Sequence, residues 1–255
     1  MIPFYLLKDA LAFIQSELKN IGHQEDEYLY FPINSKIIFN YIKKNLFQNN
    51  EHLLPILAAK SGSLILLKYF HAKKIDIRIY RDAPLRWAAR YGELDIIKYL
   101  IANGVNPASV SHTPMKWAAE AGHLEIVKYL YKNPNKRMNK ELFGYSLRWS
   151  AVEGHLEIVK FICELPDISI QIINDAVSYA STSLNTEIIK YLHSLGADLS
   201  YNNNEALFEV VRYGKLETII YLHQNGINIH CNNDSALEIA REMGHQSMVD
   251  YICKN

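Results

Sequence analysis

The stretch MKWAAEAGHLEIVKYL, residues 115–130, contains a His, two Glu residues, a Trp and a Gly within sixteen positions. Such a group of side chains suggests an active site. Closely similar stretches occur at 85–100, LRWAARYGELDIIKYL, and at 147–162, LRWSAVEGHLEIVKFI. Because a catalytic centre does not usually occur three times in one chain, the repetition indicates a repeated structural unit instead.

The glycine of this stretch defines a regular period. Equivalent positions follow one another at intervals of 30, 30, 32, 30, 30 and 30 residues, at Gly62, Gly92, Gly122, Gly154, Leu184, Gly214 and Gly244. A fixed period of this size is typical of a solenoid. We assign residues 1–51 to an N-terminal segment outside the repeats, either a cap or a separate recruiting module. Residues 52–255 form the repeat domain, with repeats at about 52–81, 82–111, 112–143, 144–173, 174–203, 204–233 and 234–255.

Each repeat predicts two helices joined at the anchor glycine, which ends the first helix in a left-handed conformation. Polar residues ten positions before the anchor are predicted as N-caps of the first helix: Asp82, Asn174, Asn204 and Asp234. A small residue recurs four positions before the anchor, where helices can approach closely: Ala88, Ala118, Ser150, Ala180 and Ala240. An aromatic residue stands seven places after every anchor and predicts a ladder between repeats: Tyr69, Tyr99, Tyr129, Phe161, Tyr191, Tyr221 and Tyr251.

TPMKWAAEAGHLEIVKYL at 113–130 and GADL at 196–199 resemble the ankyrin repeat motif T-P-L-H-x-A-A-x-x-G-H-L-E-I-V-K-L-L-L-x-x-G-A-D. The resemblance covers roughly four-fifths of the chain. The sequence pattern LRWAA…GHLEIVKYL most resembles that of ankyrin proteins encoded by giant DNA viruses of amoebae. The resemblance implies an all-α helix-turn-helix stack that acts as a scaffold or adaptor and binds a viral or host protein on its concave face. Because the family period is about 33 residues, we expect shorter loops and hairpins here and a contact surface on the helices.

Composition limits the partners. Lys plus Arg and Asp plus Glu both number 27, so no net charge attracts nucleic acid. Cys163, Cys231 and Cys253 lack metal-ligand spacing, which predicts reduced thiols and neither a metal nor a cofactor. Reduced thiols are typical of the cytoplasm or the nucleus, and for a viral protein this is the cytoplasm of the host. No segment has the roughly 20 apolar residues of a membrane span, and the N-terminus lacks the pattern of a signal peptide. We expect a monomer without a membrane partner.

The residues that suggest catalysis have a simpler interpretation. His123 and Glu125 are two positions apart, so on a helix their side chains diverge by about 200°. We expect Glu125 and Glu157 to pair instead with Lys128 and Lys160, three positions later. The sequence also lacks a glycine-rich phosphate loop and a nucleophile elbow. We therefore predict that the chain is not an enzyme.

Candidate binding residues lie on the first helices. Aromatic residues recur five positions before the anchor, at Trp87, Trp117, Trp149 and Tyr179, and by the resemblance this helix lines the concave face. Arg86, Lys116 and Arg148 precede the tryptophans. The first interpretation is packing between repeats with cations lying over the rings. The second is a partner platform, since Trp and Arg are enriched in binding hot spots.

Further candidates lie near the ends of the first helices, where residues vary from repeat to repeat: Arg90, Tyr91, Glu120, Glu153, Arg212 and Tyr213. A basic loop at 131–144, where the third repeat has a two-residue insertion, contains Lys132, Lys136, Arg137 and Lys140. An alternative hypothesis is therefore that a nucleic acid or an acidic or phosphorylated partner binds a basic and aromatic groove. The zero net charge argues against nucleic acid.

Overall fold

A computed structural model describes residues 53–132, 140–166, 168–183 and 185–255. This part of the chain contains fourteen α-helices and no β-strand, which confirms the predicted all-α repeat fold. The chain divides into two compact units, of which the first ends at Val110 and the second begins at Ser111. The predicted N-terminal segment and the fifth anchor, Leu184, lie outside the described residues.

Helices of the first unit form two pairs: α1 Leu54–Lys60 with α2 Leu64–Ala72, and α3 Ile79–Tyr91 with α4 Leu94–Ala102. The remaining helices, of which the first begins just before the unit boundary, are α5 Ser109–Glu120, α6 Leu124–Lys132, α7 Lys140–Val152, α8 Leu156–Cys163, α9 Ile170–Thr182, α10 Thr186–Ser194, α11 Tyr201–Arg212, α12 Leu216–Gln224, α13 Cys231–Glu242 and α14 Gln246–Lys254. Odd-numbered helices are the predicted first helices of the repeats, and even-numbered helices are the second.

The predicted glycine turn between the two helices is confirmed. Gly92 has a φ of 86°, and the backbone N–H of Glu93 donates to the carbonyl of Ala88 over 2.9 Å. Gly122 has a φ of 84°, and His123 N–H donates to the carbonyl of Ala118 over 2.9 Å. This bond closes a helix end in the manner of a Schellman motif. A side chain at the glycine would be strained in this left-handed conformation.

The predicted small residues of the first helices are buried to the point of having almost no exposed surface: Ala88 0%, Ala118 0%, Ser150 0%, Ala180 1% and Ala240 0%. Within the second unit, α9 packs directly against both α7 and α11. Large apolar residues of the second helices, such as Ile126, Val127 and Leu130, complete the core. Repeats of the second unit therefore bury apolar surface against their neighbours, as a solenoid requires.

The predicted N-caps are wrong. Asp82, Asn204 and Asp234 have φ values of 61°, 64° and 62°, whereas an N-cap residue adopts an extended conformation. Each is the last of three consecutive left-handed residues, at 80–82, 202–204 and 232–234. A tight left-handed turn replaces part of the longer connection of the usual repeat, and Asn and Asp tolerate this conformation better than most residues.

The fourth predicted cap, Asn174, lies inside α9. Its side-chain Oδ1 accepts a hydrogen bond from the backbone N–H of Asp198 over 2.9 Å. Asn174 therefore links its helix to the connection that precedes the next repeat, and it does not start a helix.

An aromatic ladder joins the second helices, but its rungs differ from the expected contacts between equivalent rings. Each partner is the residue two places after the aromatic of the preceding repeat. A hydrogen bond of 2.8 Å joins the Tyr99 hydroxyl to His71 Nδ1, and their rings meet edge to face. The same arrangement recurs for Tyr221 with His193 and for Tyr251 with His223. At Phe161, which has no hydroxyl, Tyr131 supplies the edge-to-face contact.

Cys163 occupies the corresponding ladder position before Tyr191. Burial, with a smaller contribution from the charge of Glu164, raises the pKa of the Cys163 thiol from 9.0 to about 12. Cys253 holds the equivalent position in the last repeat and is exposed. We therefore expect the buried Cys163 to be less reactive than the exposed Cys253, since the thiolate is the reactive form.

Replacement of Tyr221 by Phe tests the hydrogen-bonded rung. The ring contact with His193 is kept, but the hydroxyl is lost, so we expect the free energy of unfolding to fall by about 1 kcal/mol. Urea denaturation followed by circular dichroism measures this free energy of unfolding. The exposed Tyr179 provides the matched control, and an equal loss from Tyr179→Phe would show that the rung hydrogen bond contributes nothing.

Alkylation with iodoacetamide tests the difference between the thiols. At pH 8.5 we expect Cys253 to react rapidly and Cys163 to remain protected until urea unfolds the chain, as measured by peptide mass spectrometry. Because the folded pKa of Cys163 lies above the unfolded value, its contribution to stability is complete below about pH 9 and decreases as the pH rises toward 12. Equal native labelling of both cysteines would contradict this burial.

Candidate partner-binding surface

The His of the GHLE stretch, which follows the anchor glycine, holds adjacent repeats of the second unit together. His155 Nε2 lies 3.0 Å from the carbonyl oxygen of Glu120, to which it donates at the end of the preceding repeat's first helix. His245 Nε2 donates in the same way to the carbonyl of Arg212 over 3.0 Å. A carbonyl at a helix end has no partner within its own helix. These histidines therefore complete a neighbouring helix, a role that the sequence interpretation missed.

The Glu residues of the same stretch form the predicted ion pairs. Lys128 Nζ lies 3.0 Å from Glu125 Oε1, and Lys160 Nζ lies 2.8 Å from Glu157 Oε1. Pairs of this spacing on exposed helices stabilise by about 0.2 to 0.5 kcal/mol each. His and Glu of the GHLE stretch thus have separate structural partners.

In the first unit, two of the predicted site residues meet. The rings of Trp87 and Tyr91 stack with centroids 5.8 Å apart. Lys60 Nζ lies 3.6 Å from the Trp87 ring centroid, and partial burial lowers the Lys60 pKa. Arg86 Nη2 donates to the carbonyl of Tyr80 over 2.7 Å and so closes the left-handed turn. Arg90 and Tyr91 are exposed.

In the second unit, Lys116 and Arg148 each lie over an aromatic ring of the next repeat, and Arg148 also lies over a ring of its own repeat. Lys116 Nζ is 5.1 Å from the Trp149 ring centroid and 6.0 Å from that of Tyr145. Arg148 Cζ is 5.4 Å from the Tyr179 ring centroid and 5.6 Å from that of Tyr145. The expected cation–π packing is therefore present, and it joins successive repeats. We call Lys116, Tyr145, Arg148, Trp149 and Tyr179 the ring surface.

A carboxylate fixes one cation of the ring surface. Arg148 Nη2 lies 2.5 Å from Asp175 Oδ2, and both side chains are mostly covered. Asp175 also accepts the hydroxyl of Tyr201, and this hydrogen bond is the main cause of the raised Tyr201 pKa. The side-chain amide of Gln171 donates to the Tyr201 hydroxyl. The guanidinium of Arg148 is thus held by a carboxylate of the following repeat, which Tyr201 in turn holds.

The rings remain available to solvent in spite of these contacts. Tyr145 is 51% exposed, Tyr179 is 43% exposed and Trp149 is 38% exposed. Sequence reasoning missed Tyr145 and Asp175, both nine positions before an anchor. The available signal was their place one helical turn before Trp149 and Tyr179, which puts them on the same helix face.

The other predicted residues of the second unit occupy different environments. Trp117 and Glu120 are half-buried, and Tyr213 is 53% exposed. Arg212 pairs with Glu209 within α11. Glu153 is exposed one turn beyond Trp149, and no residue in the described ranges pairs with its carboxylate. Of the predicted basic loop, Lys132 ends α6, Lys136 and Arg137 lie outside the described residues, and the side chain of Lys140 is not described.

The stacked helix pairs and their glycine turns define a helical repeat protein. The family model for ankyrin repeats (3 copies) matches residues 56–142, 106–174 and 177–255, and the chain therefore belongs to the ankyrin repeat family. Ankyrin repeats are generally protein–protein interaction modules and typically non-enzymatic. No curated protein matches the chain.

Two features are absent from the described residues. None of their helices has the length and apolar character needed to span a membrane. They also hold no cluster of three or more His, Cys, Asp or Glu side chains arranged as metal ligands.

Replacement of Asp175 by Asn tests the fixation of Arg148. The variant leaves a largely covered guanidinium without its carboxylate, so we expect the free energy of unfolding to fall by about 1 to 2 kcal/mol, between the values typical of exposed and buried pairs. Urea denaturation measures the change. Glu125→Gln breaks an exposed pair and is the control. If both variants lost the same stability, the Arg148–Asp175 pair would be no more than a surface contact.

Proposed function

We propose that the chain is a non-catalytic scaffold or adaptor that binds a protein partner on the first helices, which form the concave face. The observation that carries this proposal is the partial exposure of rings that cations already hold in position. Tyr145, Trp149 and Tyr179 present large aromatic areas at low cost in side-chain entropy, since their neighbours limit their rotamers. Protein binding is also the general activity of the family.

Several finer features belong to the same proposal. The partner is a viral or host protein, the chain acts as a monomer in the cytoplasm or the nucleus, and no reaction is catalysed. The giant-virus resemblance motivates the choice of partner and gains no support from the curated proteins, none of which matches. The first-unit residues Arg86, Trp87, Arg90 and Tyr91 stay predicted contact residues.

The alternative partner, a nucleic acid or an acidic or phosphorylated protein, has less support. It needs cations free to meet phosphate, yet Arg148 and Arg212 pair with Asp175 and Glu209. A titration with DNA and RNA at low salt tests the nucleic-acid alternative. Binding that weakens steeply as salt is added would support it.

Affinity purification from the native cell, followed by mass spectrometry, tests the proposed function. We expect Trp149→Ala with Tyr179→Ala to reduce recovery of the partner by about tenfold or more, since such rings contribute strongly to interfaces. The set Trp87→Ala, Trp117→Ala and Trp149→Ala tests the predicted row of tryptophans in the same way. Cooperative urea unfolding should be retained, which distinguishes lost binding from lost folding.

Leu195→Ala is the matched control for this experiment. Leu195 is 41% exposed and ends a second helix, away from the ring surface. Its replacement should leave recovery of the partner unchanged. A folded ring-surface variant that recovers the same partner in the same amount would refute the proposed location of binding.

A further inference from the structure

The first helices in the second unit carry an excess of acidic over basic residues, although the whole chain is neutral. Residues 113–121, 143–153, 170–183, 201–213 and 231–243 contain eight acidic residues and four basic ones. Four of the acidic residues are exposed, Glu153, Asp234, Glu238 and Glu242, and two others, Asp175 and Glu209, pair with Arg148 and Arg212. A neutral chain can thus present a local field of one sign. The basic residues are Lys116, Arg148, Arg212 and Arg241.

Two of these four cations are neutralised within the protein. Arg148 lies 2.5 Å from the carboxylate of Asp175, and Arg212 pairs with Glu209 on its own helix. Lys116 lies over the rings of Trp149 and Tyr145. The cations of the ring surface are therefore engaged in positioning aromatic rings and closing ion pairs, which leaves little positive charge for an acidic partner.

Glu153 provides the opposite charge at the edge of the ring surface. Its backbone N–H donates to the carbonyl of Trp149 over 3.0 Å, so Glu153 directly follows the last turn of α7 and stands four residues after Trp149 on one face. The carboxylate has no partner among the described residues, and its side chain is exposed. An exposed ring and an available carboxylate thus stand side by side.

We propose that the ring surface and Glu153 bind a basic segment of the protein partner, with an arginine of that segment lying on the exposed rings of Trp149 or Tyr179 and its guanidinium meeting Glu153. This inference rests on the proposed function and specifies the partner's chemistry. Arginine fits better than lysine because its planar guanidinium stacks on aromatic faces and donates two parallel hydrogen bonds to a carboxylate. The excess of acidic residues on the first helices of the second unit favours the approach of such a segment.

Selection of peptides separates this inference from the proposed function. A phage-displayed library of random dodecapeptides is panned against the full chain and, in parallel, against the variant Trp149→Ala with Tyr179→Ala. Peptides retained by the unaltered chain and lost on the variant define the ligands of the ring surface. We expect these peptides to be enriched in arginine and to have a net positive charge.

Each result of the selection decides one statement. Surface-dependent peptides rich in arginine support the inference. Surface-dependent peptides that are acidic, phosphate-mimicking or uncharged overturn the basic partner and leave protein binding at the ring surface intact. Absence of any surface-dependent peptide overturns both.

Fluorescence anisotropy with the strongest selected peptide then tests the contact with Glu153. We expect Glu153→Gln to weaken binding by about two- to fivefold, the range for an exposed ion pair. Glu157→Gln, which removes a carboxylate from the second helix of the same repeat, is the matched control and should have no effect. Replacement of each peptide arginine by citrulline, which keeps the shape without the charge, should abolish the dependence on Glu153. Equal binding of the citrulline and arginine peptides would overturn the proposal.

Discussion

Close packing of successive first helices is the constraint on which the rest of this structure depends. The helices are too short to form a core on their own, and their apolar faces are covered only when the next repeat packs against them. Ala118, Ser150 and Ala180 leave the space for that approach and are almost completely buried. Once this spacing is set, equivalent side chains of neighbouring repeats are within reach, and every lateral contact in the second unit follows from it.

The two faces of the stack use that proximity differently. On the second helices, ladder contacts such as Tyr221 with His193 combine an aromatic contact with a hydrogen bond and so serve cohesion. On the first helices, Lys116 and Arg148 hold rings of the next repeat while leaving much of each ring exposed. A rigid aromatic area that remains accessible suits recognition, because little conformational freedom is lost when a partner arrives. The framework thus orders the ring surface at the same time as it stabilises the fold.

The sequence predicted the period, the all-α fold, the glycine turns and the buried small residues, because each depends on local geometry repeated at a fixed spacing. It also predicted the ion pairs of Glu125 and Glu157, which lie within one helix. It was wrong about Asp82, Asn174, Asn204 and Asp234, since a polar residue near a helix start suits both an N-cap and a left-handed turn, and only the length of the connection decides between them. The pairing of Arg148 with Asp175 was missed because the two residues belong to different repeats. The sequence spacing of repeats does not by itself show which of their side chains are in contact.

Hydrogen bonds from His155 and His245 both run from one repeat to the repeat before it. Each side chain belongs to one repeat by sequence, yet it completes the helix end of the repeat before it, at Glu120 and Arg212. A repeat as the sequence period defines it therefore has different boundaries from the segment that includes the histidine hydrogen-bonded to its first helix. A repeat transplanted into another stack with the usual limits would leave behind the histidine that closes its first helix. The segment suitable for exchange or duplication extends past the next glycine turn to include that histidine.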